Sequence, residues 1–268
     1  MSSVTAGEQV DGGVYVDVGG RQIWHFRAGD PAGQPTVLLH GVFGAASTWG
    51  AQISDFADAG LAVFVPERRG HGHTPDQPGP FGYADMVAET IAYLEQAVRV
   101  PAHLVGWSDG GVIALLVARE RPDLVRRVVM VASYISREGE VPGEFFDMIR
   151  SRHPATVEFL RSDYALTSPD GAEHFEIVYD KTLAMIDSEP DRRFDEFAGV
   201  TTPTLVLAAD NGAARVEHAL ALSRALPNGR LAVLPGTHIL PVESPEVFNP
   251  LVISFLTAEP PARWTPHH

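Results

Sequence analysis

The stretch that decides the fold is GWSDGG, residues 106–111, in which a serine stands between two glycines at the spacing G-x-S-x-G. The short apolar run AHLVG (102–106) predicts a buried strand, and SDGGVIALLVARERP (108–122) predicts a helix. Ser108 therefore falls on a strand-to-helix turn, which raises its side-chain oxygen at the carboxyl edge of a sheet. The backbone N–H of Asp109 begins the helix and can bind a developing oxyanion. The alternative is an ordinary serine that caps the helix.

Strands and helices alternate on both sides of this turn. An antiparallel hairpin with Gly19-Gly20 at its turn is predicted over 13–29. Buried strands are predicted at 36–40 and 61–66, and further strands are predicted at 125–133, 202–210 and 230–236. Helices are predicted at 47–60, 83–98, 216–229 and within 245–258. Nearly continuous apolar strands between amphipathic helices predict an α/β fold with a mostly parallel sheet covered on both faces.

The alternation stops between residues 134 and 200, where the sequence is charged and helical and contains no convincing buried strand. We interpret 134–200 as a helical cap over the carboxyl ends of the strands, where ligands bind in such sheets. Residues 1–133 and 201–258 then form the core. The remaining residues, 259–268, are expected to be a frayed tail.

Composition narrows the class of protein. The 268 residues carry a formal net charge of −14, which argues against nucleic-acid and anionic-membrane partners because both need clustered Lys and Arg. There is no cysteine, which excludes thiolate chemistry and disulfides. The N-terminal stretch lacks the pattern of a signal peptide, and the longest apolar run is too short to span a bilayer. We expect a cytoplasmic protein that acts on a small molecule; the sequence does not give its oligomeric state.

Two further stretches complete the predicted chemistry. In HGVFG (40–44), glycines allow a sharp turn after a strand and bring the N–H of Val42 over the same pocket as Ser108. His238 follows the last predicted strand, in LPGTHILPVESPE (234–246), and imidazole is suited to accept the serine proton near neutral pH.

A histidine-rich loop follows the strand 61–66. The stretch ERRGHGHT (67–74) places His71 and His73 two residues apart, but no carboxylate cluster accompanies them. We interpret this stretch as a structural loop packed by Arg69 and His71, and we predict no metal.

Taken together, these stretches resemble the α/β-hydrolase superfamily over about residues 10–258. HGVFG is similar to its oxyanion loop, ERRGHGHT to its D-x-R-G-x-G-x-S loop, GWSDGG to its nucleophile elbow and GTH to its histidine loop. The elbow also resembles that of valacyclovir-hydrolase-like and other small bacterial esterases.

The resemblance implies an eight-stranded, mostly parallel sheet with a cap inserted after strand 6. It also implies a Ser–acid–His triad, no cofactor, and hydrolysis of an ester, amide, lactone or C–C bond. Serine at the elbow, in place of aspartate, disfavours the haloalkane-dehalogenase and epoxide-hydrolase branches. Phe43 and Trp107, which belong to the two motifs, are candidates for contact with substrate.

The triad acid departs from the family pattern. The family reads G-x-x-D after the preceding strand, whereas this sequence reads AADNG (208–212), so that Gly212 occupies the acid position. Asp210, two residues earlier, is the candidate acid, and Glu217 is a more distant one. The other interpretation is a triad without this acid, in a protein that is slow, uses another carboxylate or only binds a ligand.

These features predict a cofactor-free serine hydrolase that cleaves a small, mostly apolar carboxylic ester or lactone. Ser108 attacks the carbonyl, His238 takes the proton and Asp210 orients the imidazole. The N–H groups of Val42 and Asp109 bind the oxyanion of the acyl-enzyme pathway. The alternatives are a ligand-binding protein on the same fold, and a C–C bond hydrolase or perhydrolase.

Overall fold

A computed structural model describes residues 4–259, and a single twisted sheet organises them. Its strands are β1 (Gln9–Val10), β2 (Gly13–Val18), β3 (Arg21–Ala28), β4 (Gln34–Leu39), β5 (Leu61–Pro66), β6 (Ala102–Trp107), β7 (Val125–Val131), β8 (Thr204–Ala209) and β9 (Gly229–Leu234). Their spatial order is β1-β2-β3-β5-β4-β6-β7-β8-β9. The strands from β5 to β9 in this order pair in parallel, and β1, β2 and β3 add antiparallel pairs at one edge. The predicted mostly parallel sheet is confirmed, and the two-residue β1 makes nine strands where eight were expected.

Helices cover both faces of the sheet. They are α1 (Gly50–Asp58), α2 (Tyr83–Tyr93), α3 (Asp109–Glu120), α4 (Glu144–Arg150), α5 (Pro154–Thr167), α6 (Phe175–Ser188), α7 (Val216–Ala225), α8 (Leu240–Glu243) and α9 (Pro245–Thr257). One apolar core lies between the sheet and α2, α3 and α7, and the other lies under α1, α8 and α9. Strands β5, β6 and β8 are buried along their whole length, as expected for parallel strands covered on both faces.

Helices α4, α5 and α6 lie in sequence between β7 and β8, within residues 134–200. No residue of this described segment belongs to a strand of the central sheet. The β-type backbone pairs that the segment forms are isolated bridges, such as the one between Ser136 and Asp191. We call 134–200 the cap segment. Of the predicted tail, 259–268, all but Glu259 lies outside the described residues.

Several predicted boundaries move at residues with special backbone geometry. The predicted helix 108–122 begins at Asp109, because Ser108 has φ 57° and ψ −125° and cannot be helical. The predicted strand 125–133 ends at Val131, because Ala132 has φ 48°. Within 4–259, every helix is too short or too polar to cross a membrane.

Candidate active site

Ser108 lies on the predicted strand-to-helix turn, between β6 and α3. Its positive φ is uncommon for a residue with a side chain, and it is held by hydrogen bonds on both sides. The Ser108 N–H donates to the Val131 carbonyl at 2.8 Å, and the Ser108 carbonyl accepts from the Ser133 hydroxyl at 2.6 Å. Such a strained turn presents the serine side chain at the carboxyl edge of the sheet.

The glycines of the elbow are required by close packing. A Cβ atom on Gly106 would lie 2.1 Å from the Gly110 carbonyl oxygen, and one on Gly110 would lie 2.2 Å from the Leu39 carbonyl oxygen. Because both obstacles are backbone atoms, neither position has room for a side chain. This is the physical reason for the G-x-S-x-G spacing in this chain.

The loop after β4 approaches the elbow from the other side. A Cβ atom on Gly41 would lie 3.1 Å from Ser108 Cβ and 3.3 Å from the Trp107 carbonyl oxygen. Val42 follows Gly41 and lines the cavity in front of Ser108. The two stretches that carry the predicted oxyanion donors, Val42 and Asp109, are thus adjacent at Ser108, while their role as donors stays a prediction.

His238 lines the same cavity as Ser108, as the predicted base should. Its backbone carbonyl accepts a hydrogen bond from the Trp107 indole N–H at 2.8 Å, which ties the histidine loop to the residue before the nucleophile. Burial lowers the pKa of His238 to about 4. The imidazole is therefore neutral at physiological pH, the form that can accept a proton.

Two carboxylates fasten the histidine loop through its backbone. Asp210 is exposed at the end of β8, and its Oδ1 accepts the Gly236 N–H at 2.9 Å. Glu243 accepts the Thr237 N–H at 2.8 Å and the Thr237 hydroxyl at 2.6 Å. Asp210 is thus next to the loop of His238, and its predicted hydrogen bond to the imidazole stays a prediction.

Gly212, which occupies the usual position of the triad acid, also lies next to the histidine loop. A Cβ atom on Gly212 would lie 3.8 Å from the backbone nitrogen of His238 and 3.2 Å from Ala209 Cβ. The other candidate acid, Glu217, is exposed in the first turn of α7.

A cavity of about 500 Å³ lies in front of Ser108 and His238. The predicted contact residues Phe43 and Trp107 both line it. Helices α4 and α5 of the cap segment supply much of the remaining wall, including Met148, Ile149, Thr156, Phe159 and Leu160. Its described lining contains no Lys, Arg, Asp or Glu side chain, so the cavity suits an uncharged, apolar ligand.

The loop 67–74 is packed as predicted, with the His71 Nδ1–H donating to the Arg69 carbonyl at 3.0 Å. His73 is held instead by carboxylates: its ring nitrogens lie 3.0 Å from Glu67 Oε2 and 3.0 Å from Asp11 Oδ2. In the part of the chain that the structure describes, no three His, Asp or Glu side chains are grouped so as to hold a metal ion.

Sequence reasoning missed Arg68 in the same loop. Its guanidinium is buried and donates to the Asp109 carboxylate at 2.6 Å and to the Gly41 carbonyl at 2.8 Å. An arginine two residues after a buried strand was the available signal. Neither of its partners is near it in sequence, so the pairing could not be deduced.

The profile of the alpha/beta hydrolase family matches residues 36–251, and the chain therefore belongs to this family of hydrolases, which act on small molecules. Pyrrolizixenacetamide deacetylase of Xenorhabdus hominickii is 27% identical over 253 residues, which cover 86% of this chain and 93% of the relative.

Solved structures show the same fold. The enol-lactonase from Burkholderia xenovorans LB400 superposes with a TM-score of 0.74 at 22% identity, covering 91% of this chain and 99% of that chain. The bromoperoxidase from Bacillus anthracis superposes with a TM-score of 0.75 at 22% identity, with the same coverage of 91% and 99%.

Proposed function

We propose that this member of the alpha/beta hydrolase family is a cofactor-free serine hydrolase that cleaves a small, mostly apolar carboxylic ester or lactone through an acyl-enzyme. The observation that carries the proposal is Ser108 in a strained elbow, facing the same apolar cavity as His238. The names of the deacetylase relative and of the lactonase neighbour both describe the hydrolysis of acyl bonds, which is in keeping with this class of substrate.

In the proposed mechanism, an ester enters the cavity with its carbonyl carbon next to Ser108 Oγ. His238 takes the hydroxyl proton as the oxygen attacks, and the charge on the carbonyl oxygen is met by the N–H groups of Val42 and Asp109. The imidazolium then gives its proton to the leaving alcohol. Water activated by His238 hydrolyses the acyl-enzyme and regenerates Ser108.

Asp210 is the proposed acidic member of the site. Its carboxylate fixes the histidine loop at Gly236 and puts a negative charge next to the loop that carries His238. A nearby negative charge favours the imidazolium that forms after proton transfer. In this role Asp210 acts through the loop and need not contact substrate.

The direct test is the hydrolysis of nitrophenyl esters of increasing acyl length by the wild type and by Ser108→Ala. Alanine fits the elbow at least as well as serine, so the variant should fold, with circular dichroism and a melting temperature like those of the wild type. We expect turnover to fall below a few percent. A folded, uncontaminated variant with substantial turnover would remove Ser108 from the mechanism.

A ligand-binding protein on the same fold is the second candidate, because Gly212 stands at the position where the family pattern places the triad acid. That candidate predicts saturable binding of an apolar ester without turnover in the wild type. Vinylogous diketones in the same panel test for C–C bond hydrolysis, and added peroxide tests for perhydrolysis. The cytoplasmic location stays a prediction.

A further inference from the structure

Arg68 stands at the junction of the two stretches that carry the predicted oxyanion donors. It follows β5 as the second residue of the loop 67–74, and its side chain is buried. One nitrogen of its guanidinium, Nη2, donates to the Gly41 carbonyl at 2.8 Å, and the other, Nη1, donates to Asp109 Oδ2 at 2.6 Å. A single side chain thus joins the oxyanion loop to the first residue of α3.

The bond to Gly41 determines the direction of the first donor. The Gly41 carbonyl and the Val42 N–H belong to the same peptide group, which is planar and trans, so the two bonds point in opposite directions. A hydrogen bond that holds the carbonyl therefore also aims the N–H. It polarises the peptide group as well, which strengthens the N–H as a donor.

His40 holds the same carbonyl from a second direction. Its Nε2 accepts the Arg68 backbone N–H at 3.1 Å, so that Nδ1 carries the proton and donates to the Gly41 carbonyl at 2.8 Å. Burial, together with the charge of Arg68, holds the pKa of His40 well below its usual range, which keeps this arrangement neutral. The Gly44 N–H also donates to this carbonyl, at 3.1 Å, so the Gly41 peptide group is fixed by three donors, of which Arg68 supplies the charged one.

The bond to Asp109 holds the second donor. Asp109 begins α3, and its N–H is the other predicted oxyanion ligand, reinforced by the helix N-terminus. Because the Arg68–Asp109 pair is neutral as a whole, its effect on the oxyanion comes mainly from orienting dipoles. A fixed orientation before the reaction is what makes such donors effective.

We propose that Arg68 is the positioning residue of the oxyanion hole, aiming the Val42 N–H through the Gly41 carbonyl and holding the Asp109 N–H through its carboxylate. The inference rests on the proposed function, because it assigns Arg68 to the hole that the serine hydrolase would use. It gives the loop 67–74 a role in catalysis in addition to packing.

The test compares variants in which no buried charge is left without a partner. Replacing Arg68 alone by an apolar residue would strand the buried Asp109 carboxylate and can prevent folding. The double variant Arg68→Met/Asp109→Asn removes both charges. The variant Arg68→Lys keeps the charge but loses the two-pronged geometry of the guanidinium.

Three quantities are measured for each folded variant: kcat per active site, KM for a nitrophenyl ester, and the affinity for an apolar trifluoromethyl ketone. Active sites are counted by complete reaction with a fluorophosphonate. The ketone forms a tetrahedral oxyanion on serine, so its affinity reports on the hole, which a purely structural role of Arg68 would not change. Removing one oxyanion donor typically costs about 10²–10³ in kcat.

For the double variant we expect kcat per site to fall by roughly 10- to 100-fold, with the affinity for the ketone falling by a similar factor and KM changing by less than about threefold. In Arg68→Lys, kcat per site should fall about tenfold, because lysine can hold only one of the two acceptors well.

The matched control is Arg69→Met. Arg69 is the next residue and is equally buried, but its partners are Asp85 and the Pro80 carbonyl, each at 3.2 Å and away from the elbow. Its kcat per site and its affinity for the ketone should equal those of the wild type, even if its melting temperature falls.

The inference about Arg68 would be overturned if the double variant and Arg68→Lys both kept the wild-type kcat per site and the wild-type affinity for the ketone. That result would leave the proposed function standing. Equal losses in Arg69→Met would also overturn the inference, because the effect would then be general to the loop. A wild type that neither reacts with the fluorophosphonate nor turns over esters would overturn the proposed function, and the inference with it.

Discussion

Returning a carboxylate to the usual acid position, with Gly212→Asp, should make the buried imidazole of His238 easier to protonate. A side chain fits at Gly212, because a Cβ atom there would lie 3.2 Å from Ala209 Cβ and 3.5 Å from the Ala209 carbonyl oxygen. The neighbour must yield by a few tenths of an ångström. The φ of Gly212 is outside the left-handed region, so aspartate meets no backbone strain.

The magnitude follows from the surroundings of His238. Burial lowers its pKa to about 4, and a carboxylate within about 4–6 Å raises a histidine pKa by about 1–3 units. The new carboxylate should therefore move the acid limb of kcat/KM from about pH 4 to about pH 5–7. Each unit is about 1.4 kcal/mol of stabilisation of the imidazolium, which predicts about a tenfold or larger rise in kcat at pH 7–8.

The assay is the pH dependence of kcat/KM between pH 3.5 and 9, with kcat measured on the plateau. Gly212→Asn is the matched control, because it has the same shape without the charge and should leave the limb near pH 4. The reasoning is refuted if Gly212→Asp leaves both the limb and kcat unchanged in folded protein. It is also refuted if Gly212→Asn produces the same shift, or if the wild-type limb already lies near pH 7.

Other expected outcomes concern the loop, the histidines and the cap segment. Asp210→Asn should lower kcat by about tenfold or more, because it removes the charge but keeps an oxygen that can accept the Gly236 N–H. Asp210→Ala should lower kcat further, because the bond to Gly236 is also lost. Nearly normal turnover in both variants would contradict the role of Asp210. Stability should fall as pH drops from 6.5 towards 4, by roughly 1 kcal/mol at pH 5.5 for each histidine whose pKa is lowered to about 4, because the unfolded chain binds protons that buried neutral histidines do not. Urea unfolding at a series of pH values measures this, and stability that is flat over that range would contradict it. The pKa values of these histidines are lowered by burial: His25, His40, His71, His103, His218 and His238. Tryptic cleavage at Arg161, on α5 beside the cavity, should slow when a covalent inhibitor occupies Ser108, whereas unchanged cleavage would argue against gating by the cap segment.

Local sequence signals predicted the parts of the fold that depend on neighbouring residues. The apolar run 61–66 coincides with β5, and the pair Gly19-Gly20 forms the hairpin turn between β2 and β3. The elbow could also be predicted, because the clash that excludes a side chain at Gly106 comes from Gly110, only four residues away.

The features that sequence could not supply depend on contacts between distant parts of the chain. Arg68 meets Asp109 across 41 residues, and the Trp107 indole meets the His238 carbonyl across 131. The cavity wall depends on how α4 and α5 pack against the core, which a pattern of helical residues does not determine. The hydrogen bond from Gly236 to Asp210 likewise depends on the shape of two loops that meet only in the folded chain.

The central claim is that Ser108 is the nucleophile, and mapping the covalent adduct of a fluorophosphonate tests it most directly. Intact mass and peptide sequencing should show one adduct per chain, on Ser108, and no adduct in Ser108→Ala. The control Ser133→Ala removes a hydroxyl that donates to the Ser108 carbonyl and should still be labelled on Ser108. An unlabelled wild type, or an adduct that forms on another residue and persists in Ser108→Ala, would contradict the account.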